Sequence, residues 1–566
     1  MTALVARPQR TRHAGRRATG LATAHQRLMI LGIVFVAGVA SIATKLVWLG
    51  ATAQARPAES AAQILASRGD IVDRNGQVLA RTIEAWSVGV HPNKLLSRPE
   101  ELAGRLARLM PERSEAQYLE ILKSGRSFYY LRRRALPDLV AQVNALGEPA
   151  MEFAREPERL YPQITLAAHV LGYTDLDGHG VMGMERVLND QLTNPLTRGK
   201  PAMLSIDMRV QAALESELYA AMTDLQAIGA TGLVLDVETG EVISMVSLPV
   251  FNPNKSGNAE KESMRNNVTQ SVYELGSTFK PLTMANAIET GIVTNLARRY
   301  DATEPLAVGP YRIKDDHPQR RWLNVPEALV HSSNIVTARV ADELGSERSE
   351  TMYRALGFAE PAHIELRERG RTLMPTYWGR ATNMTIGYGH GIAVTPLHLA
   401  TAYATLVNGG VWRPATLMRV APGEAAKGKR IFSESTSATM RQLLRLIVTD
   451  GTGKTANVTG FRVGGKTGTA EKPGVGGYSK TINVSTFAAV FPMDAPRYVV
   501  IAMLDSPKGS ANSFGQVTAA YTAAPVVARV IARTGPMLGV FPDQSRDIDV
   551  SAIRPMLWKA KGDSVE

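Results

Sequence analysis

GLVLDVETGEVISMVSLP, residues 232–249, reads as two β-rich runs about a tight turn: GLVLDV (232–237) and EVISMVSLP (241–249) flank ETG in the manner of a hairpin. A second such pair stands far downstream, with STFAAVF (485–491) and RYVVIAML (497–504) on either side of PMDAP. Helical patterns lie between the pairs. PLTMANAIETG (281–291) places Gly291 as a C-cap, and PLHLATAYATLVNGG (396–410) ends on Asn408 and Gly409. Hairpins at both ends with helices between them predict an α+β domain over residues 225–540, an antiparallel sheet with helices packed on it.

With 566 residues the chain is too long for one compact core. Residues 56–215 form a separate region with helix-like stretches ELAGRLARLM (101–110) and PDLVAQVNAL (137–146), and residues 541–566 are a polar tail. No internal repeat is visible. A composition of 45% apolar and 20% charged residues fits folded domains throughout.

The formal charge is +12, and its placement is informative. Arg7, Arg10, Arg12, Arg16, Arg17 and Arg27 fall in a basic arm (1–27), and no acidic residue precedes Glu59. LMILGIVFVAGVASIAT (28–44) then carries no charge and continues past Lys45 as LVWLG, so residues 28–49 are long enough to span a bilayer as one helix. Lys45 can snorkel to the headgroups and Trp48 suits the interface. The arginine excess puts the arm in the cytoplasm by the positive-inside rule, with the remainder outside. ATAQA (51–55) offers a faint cleavage site, but the apolar run is longer than a signal-peptide core. The arm reads as a topology determinant, and no nucleic-acid partner is expected.

Zero cysteines agree with an oxidising compartment and exclude thiolate nucleophiles, thiolate zinc sites and iron–sulfur clusters. The ten histidines show no HExxH spacing, so no metal and no cofactor are expected.

The chemistry sits in three short segments. YELGSTFKP (273–281) puts Ser277 and Lys280 three apart at a helix start, on one face. Gly276 permits an irregular approach, and helix-terminal N–H groups favour developing negative charge at Ser277. Pro281 cannot donate to the Ser277 carbonyl, so the first turn must be loosened. A serine hydroxyl needs a base, and lysine becomes one when desolvated or set beside another cation. Lys466 in GGKTGTA (464–470) is the candidate second cation, and as an extended strand this segment offers backbone groups to a peptide laid alongside. HSSN (331–334) supplies Ser332 as a proton relay and Asn334 to hold a substrate amide. Each segment alone has a plainer reading, as a helix start, a loop or a turn. Together, in this order, they match the pattern S-x-x-K, S-x-N, K-T-G.

On these motifs the chain resembles the class B penicillin-binding proteins, membrane-anchored peptidoglycan D,D-transpeptidases. RGDIVDRNG (68–76), RLYP (159–162) and HVLGYTDLDGHGVMGMER (169–186) resemble the family's pedestal (dimerisation-type) domain, and LSIDMRVQ (204–211) its junction with the catalytic domain. GYGHGIAVTPLHLATAYATLVNGG (387–410) resembles the septal, cell-division (FtsI) type, whereas the elongation type usually has GQG there. Leu275 departs from the proline common two places before the nucleophile.

The resemblance implies a penicillin-binding/serine-β-lactamase-like transpeptidase domain on a mixed α/β pedestal with one N-terminal transmembrane helix. It implies that Ser277 attacks the D-Ala–D-Ala carbonyl of a donor stem peptide with Lys280 as general base, and that Ser332 and Lys466 help pass protons. Asn334 would hold the donor, Thr467 and Thr469 its carboxylate, with Gly468 on the same binding strand. The N–H groups of Ser277 and Thr469 would form the oxyanion hole, and the amine of an acceptor stem would complete a cross-link at the division septum. β-Lactams are the implied inhibitors. An FtsW-type glycan polymerase and FtsQ-, FtsL-, FtsB- and FtsN-type division proteins are the implied partners.

Rival readings remain in view: an elongation-type enzyme, a largely non-catalytic division scaffold, and a β-lactamase, against which the long pedestal and anchor speak. GFRVGGKT (460–467) also satisfies the Walker A pattern, but the glycine- and proline-rich sequence after it does not suit the helix a phosphate loop needs. Asp315 and Asp316 read as a solvated turn, and RGD (68–70) as pedestal motif, not an adhesion signal.

Overall fold

The computed structural model describes residues 14–52, 68–474 and 477–558. The start of the arm (1–13), residues 53–55 of ATAQA and the end of the tail (559–566) lie outside the described residues. The chain divides into two compact units, 1–66 and 67–566.

In the first unit a single helix runs Ala14–Thr52, so the latter part of the arm is helical and continuous with the apolar run. No proline interrupts it, and its alanines, leucines and arginines favour helix. Within it Gln26–Lys45, 20 residues of mean hydropathy 2.1, is long and apolar enough to cross a membrane.

The second unit begins with the pedestal. Its long strand Val78–Val90 pairs antiparallel with Met151–Leu160 on one side and with Tyr129–Ala135 on the other. The predicted helices appear as Pro99–Leu109 and Pro137–Asn144, each opened by proline at a first-turn position where no N–H is missed. Val88, Val90, Leu102, Leu106, Met110, Tyr118 and Leu131 form this region's own core. The family-like motifs meet around one buried carboxylate. Glu185 accepts from Arg68 Nε at 2.6 Å and from Arg159 Nε at 2.7 Å, all three side chains being buried. Arg68 is therefore interior, which disposes of the adhesion reading of RGD.

Two sets of contacts tie the pedestal to the catalytic region. Asn75 Nδ2 donates to Asp207 Oδ2 (3.0 Å) and Met208 N to Asp73 Oδ2 (3.1 Å), at the N-terminus of helix Met208–Asp224. Tyr161 and Asn254 exchange a reciprocal pair of hydrogen bonds at 3.0 and 2.9 Å.

The catalytic region is built on the five-stranded antiparallel sheet that the two hairpins foretold. Its order is Gly464–Gly474, Gly477–Phe491, Tyr498–Asp505, Gly229–Asp236, Val242–Leu248. Strand Tyr498–Asp505 shows why its sequence is apolar throughout: Val500, Ala502 and Leu504 pack into one core, and Val499, Ile501 and Met503 into the other. Helices Met208–Asp224 and Ala523–Thr534 cover the first face. Pro396–Val407 and Glu434–Asp450 cover the second, and Lys280–Glu289 packs against these two helices. Strand Gly464–Gly474 is an edge, and it lies beside the turn Gly276–Phe279.

Replacing Glu185 by Ala leaves two buried guanidiniums without their carboxylate, and is expected to cost about 3–5 kcal/mol of stability. Urea unfolding of the variant against the parent chain measures this.

Candidate active site

The Ser277 segment is anchored by Tyr273, which exchanges backbone hydrogen bonds with Val394 (2.9 and 3.0 Å). Gly276 then turns the chain at φ +52°, a conformation that favours glycine. Ser277 lies in the 3₁₀ turn Gly276–Phe279, and the α-helix starts only at Lys280. The first turn is thus loosened, as Pro281 requires, and the loosening takes the form of 3₁₀ geometry. The Lys280 N–H takes the Ser277 carbonyl in an i→i+3 bond, so Pro281, lacking a donor, opens the α-helix without loss. In a 3₁₀ turn side chains three apart eclipse, which sets Ser277 and Lys280 on one side.

The Lys280 side chain is fully buried. Its Nζ donates to the Ser332 carbonyl, and to Ser332 Oγ at 3.0 Å. Among the described residues no hydrogen bond joins Lys280 Nζ to Ser277 Oγ, and the amine is held by Ser332. Lys466 is also fully buried, and its Nζ donates to Ser332 Oγ (2.9 Å), Thr467 O (3.1 Å) and Thr467 Oγ1 (3.1 Å). One hydroxyl thus bridges two buried amines from segments far apart in the chain.

Burial pushes the Lys280 amine down to about 7, although Asp315 and Asp316 pull the other way. Burial also drives Lys466 well below the ordinary amine range, helped by the charge of Lys280. Lys466 is therefore no simple fixed ammonium beside a neutral Lys280. Both amines are desolvated, and the pair resists carrying two charges.

HSSN is a helix–helix corner. His331 ends helix Val325–Val330, Ser333 caps Asn334–Leu344 by accepting from Val336 N, and Ser332 between them sits at φ +58°, left-handed for a residue with a side chain. Asp315 holds this strained corner. Its carboxylate accepts from Ser333 Oγ (2.8 Å) and Ile335 N (2.9 Å), at the positive end of the second helix. The solvated-turn reading of Asp315 is thereby corrected. It escaped notice because the helix it serves begins far along the chain. Asn334 Nδ2 donates to Lys314 O at 2.8 Å, on the same corner.

The edge strand completes the cleft. Gly468 faces the nucleophile turn so closely that an added Cβ would lie 2.4 Å from the Leu275 carbonyl oxygen, which explains glycine between two threonines. Thr469 Oγ1 accepts from Ala519 N (3.1 Å), and Thr467 Oγ1 lies 3.0 Å from Thr452 Oγ1, a residue the motif search passed over. Glu274 and His390 form a further unforeseen pair. Glu274 accepts from Gly391 N (3.0 Å) and approaches His390 Nδ1 at 3.5 Å, fastening the GYGHG turn to the nucleophile segment. A cavity of about 590 Å³, lined in part by Tyr273, Glu274, Leu373 and Glu471, opens along the same strand.

The Walker A reading fails here, since residues 464–474 are a strand with Lys466 inside. Among the described residues one cluster of metal-ligand type occurs, Asp175, Asp177 and His179 on the pedestal, all exposed. Asp175 there accepts the N–H groups of Asp177 (3.0 Å) and His179 (2.8 Å), an ordinary loop closure.

Comparison with known proteins agrees with this architecture. The family described as the penicillin-binding protein transpeptidase domain matches residues 230–531, and the penicillin-binding protein dimerisation domain matches residues 63–195. The chain belongs to the penicillin-binding proteins, and with both domains to their class B. It is 41% identical over 484 residues to a "probable peptidoglycan D,D-transpeptidase FtsI" of Caulobacter vibrioides, spanning 84% of this chain and 82% of that protein. It is 29% identical over 490 residues to the peptidoglycan D,D-transpeptidase FtsI of Escherichia coli, spanning 81% and 82%. Among solved structures, penicillin-binding protein 3 of Mycobacterium tuberculosis complexed with aztreonam superposes with a TM-score of 0.67 at 26% identity, over 84% of this chain and 97% of that one.

Substituting Asp315 by Ala removes both anchors of the Ser332 corner. Acylation by penicillin, followed by fluorescence, is expected to slow about tenfold or more, with a loss of about 1–3 kcal/mol in thermal or urea unfolding.

Proposed function

We propose that the protein cross-links peptidoglycan as a serine D,D-transpeptidase, with Ser277 as nucleophile. The observation that carries this reading is the Ser332 hydroxyl held between the buried amines of Lys280 and Lys466, beside the Ser277 turn and along an open strand edge. An amine pushed down to about 7 is a competent base at neutral pH, where an ordinary lysine is not.

In the first half-reaction Ser277 Oγ attacks the carbonyl of the D-Ala–D-Ala bond as Lys280 takes its proton. The backbone N–H groups of Ser277 and Thr469 receive the oxyanion, each such donor being worth about 3 kcal/mol. The C–N bond breaks, and a proton passes through Ser332 and the two amines to the departing D-Ala nitrogen. Thr467 and Thr469 hold the donor carboxylate, Asn334 its amide, and the peptide backbone lies against the edge strand around Gly468. In the second half-reaction the amine of an acceptor stem attacks the ester, loses its proton through the same relay and frees Ser277. A β-lactam mimics the donor but leaves no departing fragment, so the acyl-enzyme stalls.

The resemblance to FtsI proteins supports placing this reaction at the division septum, with the arm cytoplasmic, the catalytic domain periplasmic, and FtsW-type and FtsQ-, FtsL-, FtsB- and FtsN-type partners. A fluorescent fusion that spreads evenly over the envelope in dividing cells would overturn the septal assignment.

Ser277→Ala is expected to abolish covalent labelling by fluorescent penicillin without changing the unfolding midpoint, and intact-protein mass spectrometry locates the adduct. An unchanged adduct in that variant refutes the assignment. Acylation requires the neutral base, so its second-order rate constant should climb as pH rises through about 7 and level off above.

A further inference from the structure

Helix Glu434–Asp450 ends at Gly451, and the next turn is pressed against the helix that leads into Ser332. A Cβ at Gly451 would lie 2.7 Å from the Val330 carbonyl oxygen, and Thr452 N donates to that same oxygen at 3.2 Å. Thr452 is therefore fixed to the end of the very helix that presents His331 and Ser332. From there its Oγ1 reaches Thr467 Oγ1 at 3.0 Å, while Lys466 Nζ reaches the same Thr467 oxygen at 3.1 Å.

A hydroxyl has two acceptor positions and one proton. If Thr452 and Lys466 both donate to Thr467 Oγ1, its acceptor positions are filled and its own proton must point elsewhere, into the cleft. If Thr452 instead accepts, the Thr467 proton is used up within the protein. At Thr469 the direction is settled, because Ala519 N can only donate to its Oγ1 and so leaves the Thr469 proton available to another acceptor. Thr467 and Thr469 are two apart on one strand and share a face, and two hydroxyl donors so placed suit a carboxylate, for which such bonds are charge-assisted.

We propose that Thr452 is a positioning residue for the donor carboxylate: by donating to Thr467 Oγ1 it turns the Thr467 proton toward the C-terminal carboxylate of the stem peptide, or the carboxylate of a β-lactam. This rests on the transpeptidase reading given above. The ligand chemistry selected is a free carboxylate next to the scissile amide, and Thr452 acts on it only through Thr467.

The test uses the full-length chain in detergent and two probes, benzylpenicillin and its methyl ester, in which the carboxylate is masked. Second-order acylation rate constants are measured for the parent, Thr452→Val and Thr452→Ser. Thr452→Val should slow benzylpenicillin about fivefold, as for the lost neutral hydrogen bond that orients the Thr467 hydroxyl, and slow the ester much less, so that the preference for the free acid shrinks. Thr452→Ser keeps the hydroxyl and should restore that preference to within about twofold. A valine variant that slows both probes equally, or neither, refutes the assignment, as does a serine variant no better than valine. If the parent chain is acylated by neither probe, the transpeptidase reading itself falls, and this one with it.

Discussion

Everything in the cleft is organised around one hydroxyl placed between two amines that have been taken out of water. Desolvation disfavours a charge on either lysine, and their proximity disfavours charging both. Each amine therefore holds its proton less tightly than it would in solvent. Among the described residues Ser332 Oγ is the one oxygen that both amines share, and Ser332 occupies a left-handed backbone position that the corner between two helices must hold in place. The Asp315 carboxylate supplies that hold by serving the first turn of the second helix. Small displacements at this corner matter because a hydrogen-bond relay weakens steeply with distance and angle.

The sheet supplies the second constraint. An edge strand carries a row of backbone groups with no ladder partner, ordinarily a route to aggregation. Here the open edge of Gly464–Gly474 runs beside the Ser277 turn, and in the proposed reaction the same groups would receive the donor peptide. Gly468 lets strand and turn approach without a Cβ between them. The pedestal is held together at the Glu185 carboxylate–guanidinium cluster, and contacts from Asn75 and Tyr161 join it to helix Met208–Asp224 and to the loop after strand Val242–Leu248.

Much of this was legible in the chain. The hairpins about ETG and PMDAP announced themselves by turn residues between β-rich runs, and their pairing into one antiparallel sheet followed from helices lying between them. The long apolar helix was visible by length alone, although its extension back to Ala14 was not, because an arginine-rich segment reads as an arm before it reads as helix. The three segments that meet in the cleft were recognisable by residue type. What stayed hidden were groups whose role depends on a distant neighbour: Asp315 under a helix end, Thr452 behind Thr467, Glu274 against the GYGHG turn. No periodicity or local spacing links such pairs. The presence of a loosened first turn was predictable from Pro281, but not that it would be 3₁₀ geometry with Lys280 facing Ser332.

The sequence by itself determined which groups could react, because side-chain identity, the helix and strand periodicities and the turn residues are local properties. It also determined that the chain has an apolar segment of bilayer length. Only the tertiary structure decided which amines lose their water and which oxygen joins them, because desolvation and hydrogen-bond partnership arise from packing between segments remote in the chain. The reactivity of Lys280 belongs to that packing, since the same residue on an isolated helix would remain an ordinary ammonium.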